Sequence, residues 1–483
     1  MTSRSRFRST TKVAATASAA VLALLLGTVP AASALAAPAV AAAVPHAATT
    51  PIKHFVFLMQ GGRTFDNYFG TYPGADGLGA GTCQPLSVSG PAGPCVKPFL
   101  LDNSDRAPLG ASATIIASQW DGGKMNGFVA AYQQQGRDGA MAMGYYNATQ
   151  LPFYWEAAQN YVLFDHFFSS AQYGIRNSRS YWVSASPAPG GTGRIPAGGY
   201  GNLQTIFDRL QAAHVSWKFY VQGYNPAQTY ASVSPDSSET QTARVPLVDF
   251  QRFTHDPSLA SHIVGLDQYY RDLRAGTLPA VAYVASSSGD DERSAQSVSA
   301  GQSMVDTMTT QLMESRYWDN SAFMWSYDGS GGWYDSVRPP TVAGQPLGYR
   351  VPALLISAYA RKGLVSHTVL DYTSALRFIE QNWTLAPLTA RDAHANSLLG
   401  AFDFGQGPRS PVLLRAGPAS QLDAFPTARS LTGHQARAVY VLYGGAATVT
   451  ILLPVIAALA TARSSRRRIR AASGTESAEE RAG

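Results

Sequence analysis

Two cysteines, Cys83 and Cys95, are all the thiol chemistry this 483-residue chain has. So few exclude a disulfide-dense scaffold and a cysteine-rich metal centre, which needs three or four thiolate or imidazole ligands in close spacing. Histidine does not fill that gap. His54, His166, His214, His255, His262, His367 and His394 show no metal-ligand spacing along the body. An excess of one charge is missing as well. The net charge of +6 comes from the two ends, and residues 37–462 carry 27 basic against 28 acidic side chains. The basic balance therefore gives no reason to expect a nucleic-acid partner. No internal repeat occurs, which excludes solenoids and propellers.

What is present begins with two processing signals. Arg4, Arg6, Arg8 and Lys12 precede an apolar stretch, and Ala34-Leu35-Ala36 offers a small-residue cleavage site, so residues 1–36 read as a signal peptide. Residues 37–50, rich in alanine and proline, read as a disordered lead-in. At the other end, residues 438–462 carry no charge and are long enough to span a bilayer. Arg463, Arg466, Arg467, Arg468 and Arg470 follow at once, which assigns residues 463–483 to the cytoplasm as a basic tail. The expected product is a single-pass protein of the cell membrane whose main domain is extracytoplasmic. In an exported chain the isolated pair Cys83/Cys95 reads as a disulfide closing a small Gly/Pro-rich loop.

Between these ends lies a body over residues 51–404, followed by a Pro/Gly-rich tether over 405–437. Ile52, Phe55, Val56, Phe57, Leu58 and Met59 form an apolar run suited to a strand buried on both faces. Similar runs recur at Ser216–Val221, Ala280–Ala285, Ala322–Tyr327 and Val351–Ser357. Helical patterns lie between them, at Leu203–His214, Gly301–Ser315 and Tyr372–Trp383. The alternation predicts an α/β fold with a mostly parallel sheet covered by helices. Ligands in such folds bind at the carboxyl edge of the sheet, where Gly61-Gly62 ends the first run.

Four stretches resemble the signatures of the bacterial phosphoesterase family, which includes phospholipases C and acid phosphatases. Arg63-Thr64-Phe65-Asp66 with Tyr68-Phe69-Gly70 is similar to the first, and Asp165–Tyr181 to the second. Asp291–Gln302 and Tyr327–Pro340 are similar to the third and fourth. The resemblance covers roughly residues 51–404 and implies an alkaline-phosphatase-like sandwich, a divalent cation and hydrolysis of phosphate esters. Arg63, Asp66, Asp328 and Asp335 stand at retained positions. Six positions that carry the family's chemistry differ. Gly61, Gly62, Arg293, Gly329 and Ser336 replace glutamate, asparagine, histidine, glutamate and histidine, and Ile175 replaces the hydroxyl nucleophile.

An isoleucine has no lone pair with which to attack phosphorus. An arginine stays protonated and cannot ligate a cation as imidazole does. The reading taken forward is therefore a membrane-anchored phosphoesterase-family protein without catalytic residues, without a bound metal, and serving as a binding or scaffold domain for an unidentified extracytoplasmic ligand or protein. The alternative is an active ester hydrolase of the phospholipase C type with a rebuilt site, using Asp290, Asp291, Glu292 and Asp328 around a divalent metal.

Overall fold

The computed structural model describes residues 45–89, 93–103, 108–190, 194–232 and 241–412. The expected signal peptide, membrane span and basic tail lie outside the described residues. Among the described residues no helix is long and apolar enough to cross a membrane.

The buried apolar runs become the strands of one eight-stranded sheet. In chain order these are β1 (His54–Gln60), β2 (Val162–Phe164), β3 (Trp217–Val221), β4 (Ile263–Gly265), β5 (Val281–Ala285), β6 (Ser321–Tyr327), β7 (Ala353–Ser357) and β8 (Leu364–Ser366). Across the sheet they run β8-β2-β7-β6-β1-β5-β3-β4. Only β7 is antiparallel to its neighbours, so the sheet is mostly parallel as the pattern predicts. The central strand β1 pairs in parallel with β5 and β6, and Phe55 to Met59 are fully buried.

Side-chain alternation along β1 sends Phe55 and Phe57 to one face and Val56 and Leu58 to the other. Five helices matter for the site: α1 (Phe65–Phe69), α2 (Pro152–Asn160), α3 (Ile175–Ser184), α4 (Val298–Met313) and α5 (Tyr372–Asn382). On the first face Phe57 meets Trp182 of α3 at 5.6 Å between ring centroids, and Phe55 meets Phe378 of α5 at 5.1 Å. On the second, Trp325 of β6 packs against Phe153 and Tyr154 of α2. Helices thus cover both sides. The ends of α1 and α5 are set by their sequence: Thr64 accepts from the Asn67 N–H, and Asp371 and Ser374 form a reciprocal capping box.

Two expected unstructured stretches extend the body where they are described. Of the lead-in, residues 45–50 lie against α5, with the Thr49 N–H donating to the Asn382 carbonyl at 2.7 Å. Of the tether, residues 405–412 are held by Trp318 Nε1, which donates to the Arg409 carbonyl at 2.7 Å, and by Arg409 Nη2, which donates to the Ala360 carbonyl. Backbone groups with protein partners fix these stretches despite their composition.

Cys83 and Cys95 are joined, with their Cα atoms 5.7 Å apart. Non-reduced peptide mapping is expected to recover this pair linked. Cys83→Ser with Cys95→Ser is expected to lower unfolding stability by about 2–3 kcal/mol, as fits a short closed loop; two free thiols in protein purified without reductant would contradict the assignment.

Candidate functional site

The carboxyl ends of β1 and β6 deliver Gly61-Gly62 and Asp328-Gly329 to one region, and the N-terminus of α3 delivers Ile175. A cavity of about 460 Å³ opens there, lined by Gly61, Gly62, Ile175, Arg293, Asp328 and Gly329 among others. Five of the six altered positions therefore share one wall system with one retained aspartate. The sixth, Ser336, does not line it.

The glycines at 61 and 62 are in close backbone contact with their surroundings. The Gly61 N–H donates to the Asp291 carbonyl at 2.6 Å. A Cβ built on Gly61 would lie 2.7 Å from that carbonyl oxygen, and one on Gly62 would lie 2.6 Å from the Gly331 Cα. The approach is mutual, since a Cβ on Gly331 would lie 2.2 Å from the Gly62 carbonyl oxygen. Gly331 also has φ +61°, a conformation that favours glycine. No longer side chain fits at 61 or 62 without moving backbone. Gly329 differs: nothing lies within 4 Å of its Cβ position.

Charged groups at the cavity are already engaged. Asp328 accepts from Arg179 Nε at 2.9 Å, and both side chains are almost wholly buried. Arg179 also donates to the carbonyls of Arg244 and Gln60. Asp291 pairs with Arg293, whose Nε donates to it at 2.8 Å. Burial raises the Asp291 pKa, and the guanidinium works against that shift. The divalent cation implied by the family would need several free oxygen or nitrogen ligands. Asp328 alone among the lining residues named offers a carboxylate, and a guanidinium stands in the same cavity. The residues present do not fit that cation.

The other acids of the suggested rebuilt site point elsewhere. Asp290 accepts from Gln222 at 2.5 Å. Glu292, fully buried with φ +60°, accepts from the hydroxyls of Tyr68, Tyr154 and Tyr327. Asp290, Asp291, Glu292 and Asp328 thus serve four separate partner sets rather than one centre. Glu292 also anchors Arg63, whose Nε donates to the Glu292 carbonyl and whose guanidinium lies 4.8 Å from the Trp333 ring.

Three of the four retained candidates are interior struts rather than lining residues. Arg63, Asp66 and Asp335 are buried outside the cavity wall. Arg350, also fully buried, bridges Asp66 at 3.0 Å and Asp335 at 2.8 Å. Ser336 belongs to the same cluster, its N–H donating to Asp66 at 2.6 Å. Burial pushes the Asp335 carboxyl up to about 7 against the opposing pull of Arg350. The resemblance pointed to Asp66 and Asp335 but not to Arg350, whose role appears only when three distant segments meet.

His166 and His367 have no metal-ligand spacing in sequence, yet they meet around buried Asp165, and the three could hold a cation. Pairing of β2 with β8 brings together residues about 200 positions apart, which no local motif records.

The model of the phosphoesterase family matches residues 52–386. Phospholipase C A of Mycobacterium tuberculosis is 29% identical over 422 residues, covering 75% of this chain and 79% of its own. Hemolytic phospholipase C of Pseudomonas aeruginosa is 26% identical over 415 residues, covering 73% of this chain and 56% of its own. Among solved structures, an alkaline phosphatase superfamily protein from Vibrio parahaemolyticus aligns at a TM-score of 0.36 and 13% identity, over 73% of this chain and 72% of its own.

The buried Glu292 gives a pH test. Burial pushes its carboxyl from 4.5 up to about 7, opposed by the three tyrosine hydroxyls and Arg63. Between those values the folded chain binds more protons than the unfolded one, so this group's contribution to stability falls as pH rises and is level above about 7. Chemical unfolding from pH 4 to 8 is expected to show Glu292→Gln with a flatter profile than the parent, by roughly 3 kcal/mol across the window. Parallel profiles would contradict the assignment.

Proposed function

The chain belongs to the phosphoesterase family, and from that premise we propose that it is a catalytically defective member acting as a binding or scaffold domain. The observation that carries this reading is the closed contact between Gly62 and Gly331. It leaves no space for the family's asparagine at 62, and the Asp291 carbonyl leaves none for its glutamate at 61. The paired states of Asp328 and Asp291 support it, because each carboxylate already faces a guanidinium. Ile175 supports it further, since the N-terminus of α3 presents a hydrocarbon side chain to the cavity instead of a nucleophile.

What remains is a pocket rather than a reaction centre. Its walls combine apolar Leu109, Ile116 and Ile175 with Ser178, Ser330 and the Arg293 guanidinium. Such a lining suits a small ligand with an apolar part and a polar head. The apolar stretch at 438–462 and the arginines behind it support display of this domain outside the membrane.

The direct test is hydrolysis by the purified full chain of phosphatidylcholine and of chromogenic phosphate mono- and diesters, with Mg²⁺, Mn²⁺, Ca²⁺ or Zn²⁺. No metal-dependent turnover is expected, and Ile175→Thr alone is expected to restore none. Gly62→Asn is expected to lower stability by about 1–3 kcal/mol, because its Cβ meets backbone. Metal-dependent turnover by the unaltered chain that Asp328→Ala abolishes would overturn the reading in favour of an active hydrolase. For the membrane assignment, protease added to intact cells is expected to digest the body and spare a tag placed after Gly483; loss of the tag would contradict it.

A further inference from the structure

Two short parallel ladders follow one another along the same pair of chain segments. Val162–Phe164 pairs with Leu364–Ser366, and Phe167-Phe168 pairs with Leu370-Asp371. Between the ladders one strand carries two residues, Asp165 and His166, and the other carries three, His367, Thr368 and Val369. An extra residue on one strand breaks the ladder and re-aims side chains. Here it turns two imidazoles and a carboxylate into the same gap.

Asp165 is fully buried, and each of its oxygens faces one ring. Oδ1 lies 3.1 Å from His166 Nδ1, and Oδ2 lies 2.8 Å from His367 Nδ1. The two rings are 6.1 Å apart between centroids and inclined at 72°. One ligand atom from each of the three residues falls within 4.8 Å of the others. For metal–ligand bonds of about 2.0–2.1 Å, neighbouring tetrahedral ligands sit roughly 3.3 Å apart, so the set closes on a cation with small side-chain rotations.

The surroundings have the features of a prepared site. The backbone of Asp165 is fixed at both ends, its N–H donating to the Ser366 carbonyl and its carbonyl accepting from Arg350 at 3.0 Å. The other nitrogen of His166, Nε2, lies 3.5 Å from Asp76 Oδ2. A carboxylate behind a ligating imidazole fixes its tautomer and orientation. The Asp76 N–H in turn donates to Asp165 Oδ2 at 2.9 Å, which holds that loop in place. A route for the ion exists too, because the side chain of His367 is 60% exposed. None of the three residues lines the cavity at Gly61 and Asp328.

We infer that Asp165, His166 and His367 form a binding site for a transition-metal dication of the zinc class, oriented by Asp76 and separate from the family's own site. Two neutral imidazoles and one carboxylate favour such an ion over Mg²⁺ or Ca²⁺, which prefer all-oxygen shells. The fourth position is open to water. Binding ties β2, β8 and the Asp76 loop together.

The test uses the full chain in detergent, without a polyhistidine tag and stripped of metal by chelator. Calorimetric titration with Zn²⁺ is expected to show one saturable equivalent, and added Zn²⁺ to raise the melting temperature. Co²⁺ is expected to give the visible absorption of a tetrahedral site. His367→Ala, an exposed change, and His166→Ala are each expected to weaken Zn²⁺ binding by about tenfold or more and to remove the Co²⁺ band. Asp328→Asn, which still accepts from Arg179, is expected to leave both readouts unchanged. Absence of a saturable equivalent, an equivalent unaltered in both histidine variants, or one lost with a still-folded Asp328→Asn would each overturn the inference.

Discussion

The contact between the backbones of Gly62 and Gly331 sets the character of the site. It joins the turn after β1 to the turn after β6, two segments that a parallel sheet brings side by side at its carboxyl edge. In an open α/β sheet this edge is where ligands and catalytic groups gather. Here main chain packs on main chain and the space for an amide side chain at 62 is gone, while the Asp291 carbonyl closes the space at 61. The cavity survives beside the contact because Gly329 has nothing opposite it and Ile175 forms part of the wall.

Most retained and altered family positions separate by what they touch, with retained Asp328 at the cavity and altered Ser336 in the interior cluster as the exceptions. Asp66 and Asp335 share Arg350 in the interior, and Arg63 ties α1 to the loop that carries Glu292. Removing one member of such a buried set leaves an uncompensated charge and costs about 3–5 kcal/mol, so the fold depends on these residues whether or not chemistry takes place. Of the residues facing the cavity, Ile175 and Gly329 carry no such burden, whereas Asp328 and Arg293 are held in ion pairs with Arg179 and Asp291. Replacement of Ile175 by a hydroxyl residue breaks no strand and empties no core. A scaffold can therefore keep its framework while its reactive groups go.

Much of this was legible in the sequence. Apolar runs of five to seven residues located β1, β3, β5, β6 and β7 to within two or three residues. The resemblance located six cavity positions, because local motifs carry a loop and its strand together. It did not reveal the tyrosine cage of Glu292, built from Tyr68, Tyr154 and Tyr327, or the arginine that links Asp66 to Asp335. Nor did it bring His166 to His367. Each of these depends on contacts between segments tens to hundreds of residues apart, and side-chain type alone does not encode them. Residues 45–50 were expected to be loose on composition, yet partners on α5 hold them.

The central claim is that the ancestral cation position beside Asp328 no longer binds metal. Crystals of the protein soaked in Mn²⁺, with diffraction collected above and below the manganese absorption edge, test it most directly. The account predicts no anomalous-difference peak in the cavity bounded by Gly61, Gly62, Ile175 and Asp328, with Arg179 still bonded to Asp328. A peak bonded to the Asp328 carboxylate, with Arg179 displaced, would contradict it.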